Sequence, residues 1–239
     1  MVVGIGPGSV EDRTRRAECA ILASDLVVGY KLYLEHIVDL TGGKELISTG
    51  MMQEVARCRM ALERAMAGAT VAFVSSGDAG VYGMAGLAME MAAAHGWDVP
   101  IEVIPGVSAA NSAAALMGAP LMLDYACVSL SDLLMSWDTI VRRIEALATA
   151  DMVVALYNPK STKRVHQIEQ VAGIFRQHRA DTTPVGIATA VGAAEERMIM
   201  SDLGHFLNEE ITMKSIVIVG NSTSRMLNGW FVTPRGYRI

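Results

Sequence analysis

The chain has 239 residues, 51% of them hydrophobic and 19% charged, with a formal net charge of -5. This balance excludes a disordered chain, and the length suits one large or two small domains, each burying its own core. An acidic chain with no basic run is excluded as a mainly electrostatic nucleic-acid binder, although a local basic pocket for an acidic small molecule stays open. The three cysteines, Cys19, Cys58 and Cys127, have neither disulfide nor zinc spacing, and the five histidines are scattered. No structural metal is expected.

Val2–Ile5 reads as a short strand, turned by Gly6-Pro7-Gly8. Ser9 can cap a helix over Arg13–Ala23, with Asp12 in a capping-box position. Leu26–Tyr30 is the next strand, and Tyr30-Lys31-Leu32-Tyr33 leads out of it. Glu45–Ser48 is a third strand. Gln53–Ala67 is an amphipathic helix with Val55, Cys58, Leu62, Ala65 and Met66 on its apolar side.

The stretch Thr70–Gly83 organises the first half. Val71–Val74 is an apolar run of β-formers, as a strand buried on both faces would be. It breaks into Ser75-Ser76-Gly77-Asp78-Ala79-Gly80, small residues that make tight turns and leave backbone amides accessible. Helix Met84–Ala94 follows and stops at His95-Gly96. Strand, glycine loop and helix in this order place a ligand site at the carboxyl end of a parallel sheet, or form a plain βα turn.

A strand over Ile101–Ile104 then runs into Pro105-Gly106-Val107-Ser108, which opens a helix of small residues over Ala109–Met117, with Ser108 as N-cap. The stretch Val103–Leu123 holds no charged residue, but prolines and glycines break it, so it reads as turn, helix and turn and not as a membrane span. No signal-peptide pattern opens the chain, so the cytoplasm is the expected location. Composition shifts at Gly118-Ala119-Pro120, which divides the chain into domains at 1–119 and 120–239. The second half mixes strands at Ala126–Leu130, Met152–Tyr157, Pro184–Ala188, Glu196–Met200, Ser215–Val219 and Trp230–Thr233 with helices at Trp137–Ala148 and Thr162–His178. Its sheet should contain antiparallel pairs.

Gly4, Gly6 and Gly8 invite a dinucleotide-binding reading and an NAD-dependent oxidoreductase. The third glycine is one position early, Pro7 removes an amide that would face a pyrophosphate, and Asp25 precedes its strand where a ribose-binding acid should follow it.

Four loops in register tell more. Val3-Gly4-Ile5-Gly6-Pro7-Gly8, Ser76-Gly77-Asp78-Ala79-Gly80-Val81-Tyr82, Ile104-Pro105-Gly106-Val107-Ser108-Ala109-Ala110 and Tyr157-Asn158-Pro159 resemble, in order and over nearly the whole chain, the tetrapyrrole methylases. Val28–Leu34, Ser129–Leu134, Ala155–Pro159 and Val232–Tyr237 are most similar to the branch that methylates C17 of precorrin-3B in cobalamin biosynthesis. Ala79 stands where the family commonly has proline, and Ala188–Gly192 departs from the usual form.

The resemblance implies an α/β fold of two αβα domains, mainly parallel first and mixed second, with S-adenosylmethionine in the cleft between them. The implied cofactor contacts are Pro7, Gly77, Asp78, Ala79, Val81, Tyr82, Ser108, Ala109, Tyr157, Asn158, Ala190 and Val191. It also implies ring contraction to precorrin-4, an anionic tetrapyrrole partner and a homodimer, with no nucleic acid or membrane partner. A cobalt-containing substrate, or a sensor that binds the methyl donor without turnover, is the alternative. Contraction needs a base at the C20 hydroxyl. Asp132, Lys31 and Tyr30 sit in loops that suit the task, though Asp132 also reads as a helix N-cap and Lys31 as a surface charge. Lys31, Arg164, Arg225 and Arg235 are the candidates for binding substrate carboxylates.

Overall fold

The computed structural model describes residues 1–238. The chain forms two compact units, Met1–Ala109 and Ala110–Ile239.

The first unit runs β1 (Val2–Gly4), α1 (Arg15–Leu22), β2 (Leu26–Tyr30), α2 (Lys31–Glu35), β3 (Glu45–Thr49), α3 (Glu54–Met66), β4 (Val71–Ser75), α4 (Ala85–His95) and β5 (Val103–Ile104). Its sheet has the order β3-β2-β4-β1-β5 and every pair is parallel. Parallel strands need covered faces, and the side chains divide accordingly. Val3, Val27, Ala72 and Val74 pack with Ala17 and Ile21 of α1 and Leu34 of α2. Val2, Leu26, Val28 and Phe73 pack with Cys58 and Leu62 of α3 and Ala88 and Met91 of α4. The chain leaves β1 toward one sheet edge and leaves β4 toward the other, with their helices on opposite faces. The adjacent carboxyl ends of β1 and β4 therefore form the switch point where such sheets bind ligands.

The second unit holds α5 (Ala109–Met117), β6 (Gly118–Ala119), β7 (Tyr125–Ser129), α6 (Trp137–Thr149), β8 (Val153–Tyr157), α7 (Gln167–Arg176), β9 (Pro184–Thr189), β10 (Arg197–Asp202), β11 (Ser215–Val219), β12 (Arg225–Leu227) and β13 (Trp230–Val232). Its main sheet, β10-β9-β11-β8-β7, is parallel only between β7 and β8. Leu156, Ile187 and Val217 meet Ile144 of α6 and Phe175 of α7 in its core. A small second sheet joins β12, β13 and β6.

Several expectations need correction. The two compact units divide between Ala109 and Ala110, within the first turn of α5, whereas composition places the boundary at Gly118–Pro120. Met117 covers Gly186 of β9, where a Cβ would strike its sulfur, and the Ala110 N–H donates to the Tyr157 hydroxyl at 3.0 Å. The cap of α1 is Thr14, whose hydroxyl accepts from the Ala17 N–H. Ser9 instead accepts from the Asp12 N–H in a local turn. On α3, Val55 and Met66 face solvent and Arg57 is buried, because its guanidinium reaches back to the Thr49 hydroxyl and the Gly50 carbonyl.

Arg13 is also buried, and its guanidinium donates to both Asp39 carboxylate oxygens at 3.1 and 2.5 Å. That hydrogen bond holds the Asp39 carboxyl below its usual range. A carboxylate whose pKa is depressed on folding adds stability above its ordinary pKa and loses it as pH falls through the lowered one. Asp39→Asn should therefore lower the melting temperature at neutral pH and converge on wild type once the pH falls below the lowered carboxyl pKa. The gap at neutral pH should be small, since Asp39 is half-exposed and screened. Thermal unfolding across that range checks both.

Candidate functional site

Three loops of the first unit meet at a knot of glycine backbone. Gly6 and Gly77 form an antiparallel bridge in which the Gly77 N–H donates to the Gly6 carbonyl at 2.7 Å and the Gly6 N–H returns to Gly77 at 3.1 Å. Both have positive φ, 78° and 65°. A Cβ on Gly4 would lie 2.7 Å from the Gly77 oxygen and 2.8 Å from the Gly106 nitrogen, and one on Gly106 would overlap the Gly77 oxygen. Only glycine permits this approach of main chain to main chain. Asp78 locks it: one carboxylate oxygen accepts from the Gly80 N–H at 2.8 Å, the other from the Gly106 N–H at 3.0 Å.

This changes how the expected contacts divide. Gly77 and Ala79 are buried, Ala79 within the core, and the Asp78 carboxylate is occupied by backbone amides. These residues shape the loop. The surface it offers is Gly80, Val81 and Tyr82, all exposed, with Tyr82 held at φ 53°. Ser108 and Ala109 are half-buried at the start of α5, and Ala109 N is the nearest atom, 3.6 Å away, to a Cβ built on Gly77.

In the second unit, Asn158 follows β8 with φ 49° and Ala190 follows β9 with φ 51°. Both are non-glycine residues in left-handed conformation, each the first residue past the carboxyl end of its strand. Such backbone costs about 1–3 kcal/mol and collects at functional sites. Asn158 is fixed by its amide, which donates to the Ser129 hydroxyl at 3.0 Å, and Ala190 by its N–H on the Lys214 carbonyl at 3.1 Å. Val191 is buried, and a pocket of about 220 Å³ opens beside Ala190, lined among others by Thr189, Arg197 and Lys214.

The uncharged lip of the first unit, Gly80-Val81-Tyr82, is chemically compatible with a sulfonium nucleoside such as S-adenosylmethionine. The β1 and β4 loops do not fit a pyrophosphate. Pro7 has no N–H, the Gly6 and Gly77 amides are bonded to each other, and no cationic side chain belongs to the lip. The dinucleotide reading therefore fails at the one turn that suggested it.

Of the catalytic candidates, Tyr30 ends β2 and its ring meets Tyr33 edge-on at 5.2 Å. Lys31 begins α2, is exposed, and has no ion-pair partner among the described residues. Asp132 lies in the loop after β7. It is not a helix cap, since Ser136 caps α6. Its carboxylate faces the Arg164 Nε at 3.8 Å and accepts from the Gln167 amide at 3.4 Å. Arg164, named for substrate carboxylates, is nearly buried and donates to two backbone carbonyls. Arg225 and Arg235 are exposed. Among the described residues no three His, Cys, Asp or Glu side chains are grouped to hold a metal, and no helix is long and apolar enough to cross a membrane.

The family model for tetrapyrrole (corrin/porphyrin) methylases matches residues 1–206. A cobalt-factor III methyltransferase of Priestia megaterium is 49% identical over 242 residues, covering all of this chain and 45% of that relative. A probable cobalt-factor III C(17)-methyltransferase of Salmonella typhimurium is 44% identical over 238 residues, covering 100% and 99%. The crystal structure of the methyltransferase CobJ superposes with a TM-score of 0.90 at 33% identity over 98% of both chains. The chain spans less than half of the Priestia protein and essentially the full length of the other two. It belongs to the tetrapyrrole methylases, methyltransferases that use S-adenosylmethionine.

Proposed function

We propose that this chain methylates C17 of a tetrapyrrole in cobalamin biosynthesis and contracts the macrocycle in the same active site. The observation that carries this reading is the glycine knot. It closes the β1 and β4 loops to a phosphate-bearing ligand and leaves an uncharged lip, Gly80-Val81-Tyr82, for a methyl donor. Pro7, Ser108, Ala109, Tyr157, Asn158, Ala190 and Val191 complete the set assigned to that donor.

Bound there, S-adenosylmethionine supplies an electrophilic methyl group on sulfur. The protein's part is to hold the ring carbon in line with that methyl and to keep water out; no covalent intermediate on the enzyme is needed. Contraction differs in kind. In the hydroxylated substrate precorrin-3B the C20 hydroxyl loses its proton as its C–O becomes a carbonyl. One ring bond to C20 breaks, its electron pair forming the direct bond between the two flanking ring carbons as an oxygen substituent leaves the carbon that receives it. Asp132 is assigned the proton, with Lys31 and Tyr30 as the remaining candidates.

The names of the two relatives favour cobalt-factor III as substrate, whereas the loop resemblance favours metal-free precorrin-3B. Both are flat, carboxylate-rich rings, and parallel assays with each decide between them. The assembly is assigned as a homodimer, and a single 25.5 kDa species in sedimentation at micromolar concentration would overturn that. The functional reading itself is tested by calorimetry with S-adenosylmethionine, S-adenosylhomocysteine and NAD. Binding of the first two and not the third is expected; binding of NAD alone would overturn it. Turnover of either tetrapyrrole distinguishes the enzyme from a sensor.

A further inference from the structure

Arg164 sits where a helix should be. The sequence predicts a helix from Thr162, yet α7 begins at Gln167. The preceding residues close a small turn instead, in which the Ser161 hydroxyl accepts from the Arg164 N–H at 3.1 Å and the Ser161 N–H donates to the Arg164 carbonyl at 3.0 Å. The lost turn of helix aims the Arg164 side chain inward. Its Nη1 donates to the Leu130 carbonyl and to the Asn158 carbonyl, both at 2.9 Å, and its Nε faces Asp132 at 3.8 Å. The side chain is 11% exposed.

These three partners belong to two different loops. Leu130 and Asp132 lie in the segment after β7, and Asn158 is the left-handed residue after β8. Ser129 adds a second tie, accepting from the Asn158 amide at 3.0 Å and from the Ser131 N–H at 3.3 Å. Beyond Asp132 the loop has little else to hold it, since Leu133 and Leu134 are 72% and 100% exposed. A planar guanidinium with fixed donors suits such a bridge in a way a flexible ammonium does not.

We propose that Arg164 is a positioning residue: it clamps the loop bearing Asp132 onto the Asn158 turn, so that the group assigned to the substrate and the turn assigned to the methyl donor move as one body. This rests on the proposed methyltransferase reading for what the two loops hold, and on geometry alone for the clamp. Arg164 touches neither reactant in this account and acts through Leu130, Asp132 and Asn158.

The test compares wild type, Arg164→Gln and Arg164→Lys by three measurements. Hydrogen exchange should quicken together in 129–135 and 158–161 of Arg164→Gln, and not in the first unit. Calorimetry with S-adenosylhomocysteine should show affinity weakened about tenfold. Turnover of cobalt-factor III and precorrin-3B should show kcat reduced at least about tenfold at saturating methyl donor, with partial recovery in Arg164→Lys. A variant with a lowered melting temperature but wild-type kcat, affinity and loop exchange would overturn the proposal, leaving Arg164 purely structural. Exchange quickening in one loop only would also overturn it, because the two would then not be coupled. If wild type turns over neither tetrapyrrole, the functional reading fails, while the exchange result still decides the clamp.

Discussion

Replacing Gly106 with alanine should abolish S-adenosylmethionine binding at concentrations that saturate wild type. The new Cβ would come within 2.1 Å of the Gly77 carbonyl oxygen and 2.7 Å of the carbonyl carbon and oxygen of Gly4. All of these are main-chain atoms, so no rotamer change relieves the clash and the loops must separate. Overpacking of this kind costs about 1–3 kcal/mol. The larger loss is in the site, because the Gly106 N–H is also the anchor of Asp78 and moving it releases the β4 loop. Displacements near 1 Å cost about a hundredfold where a reactant must be held in line. Gly86→Ala is the control: it lies within α4, no atom stands within 4 Å of its added Cβ, and binding should be unchanged. Calorimetry on both variants, with circular dichroism for folding, makes the comparison. Wild-type affinity in Gly106→Ala would show that the knot does not shape the cofactor site.

The second large effect is expected at Asp132. Asp132→Asn should keep affinity for the methyl donor and reduce formation of the ring-contracted product by roughly a hundredfold or more, the usual scale for a lost general base. The competing reading, a helix cap that asparagine would serve equally well, is removed because Ser136 already caps α6. Asparagine can retain the hydrogen bond from Gln167 and still face Arg164, so the local fold has reason to survive. Mass spectrometry of the tetrapyrrole products beside a binding titration separates the two steps. Near-normal output removes Asp132 from the mechanism.

The parallel first sheet was legible chiefly from β1, β4 and β5, short apolar runs that each end in a glycine-containing loop carrying a family motif. Helix α4 was read nearly to the residue, its end set by Gly96 at φ 63°. What escaped detection depended on tertiary reach. Nothing local distinguishes Arg57 from its exposed neighbours on α3; the Thr49 hydroxyl and Gly50 carbonyl draw it inward, with the Glu54 carboxylate 3.6 Å from its guanidinium. Arg164, named for substrate carboxylates, is likewise turned inward by partners distant in sequence or set by the turn, the Leu130 and Asn158 carbonyls. Helix α5 reads alike on either side of the division, and only Gly186 under Met117 shows where it packs. The hairpin of β12 and β13 did carry a local signal, Asn228-Gly229, whose φ values of 50° and 87° suit a tight two-residue turn. Within the loop after β4 the motif does not show which residues build it and which it presents: Gly77 and Asp78 build the loop, and Val81 and Tyr82 face outward.

The most direct test of the central claim follows one methyl group. The protein would be incubated with S-adenosylmethionine labelled at the methyl carbon and, in separate reactions, with cobalt-factor III and precorrin-3B. The products would be read by mass spectrometry and carbon NMR. One labelled methyl is expected, attached at C17, in a macrocycle that has lost its C20 bridge. A label at another carbon, or no transfer to either substrate, would contradict the claim.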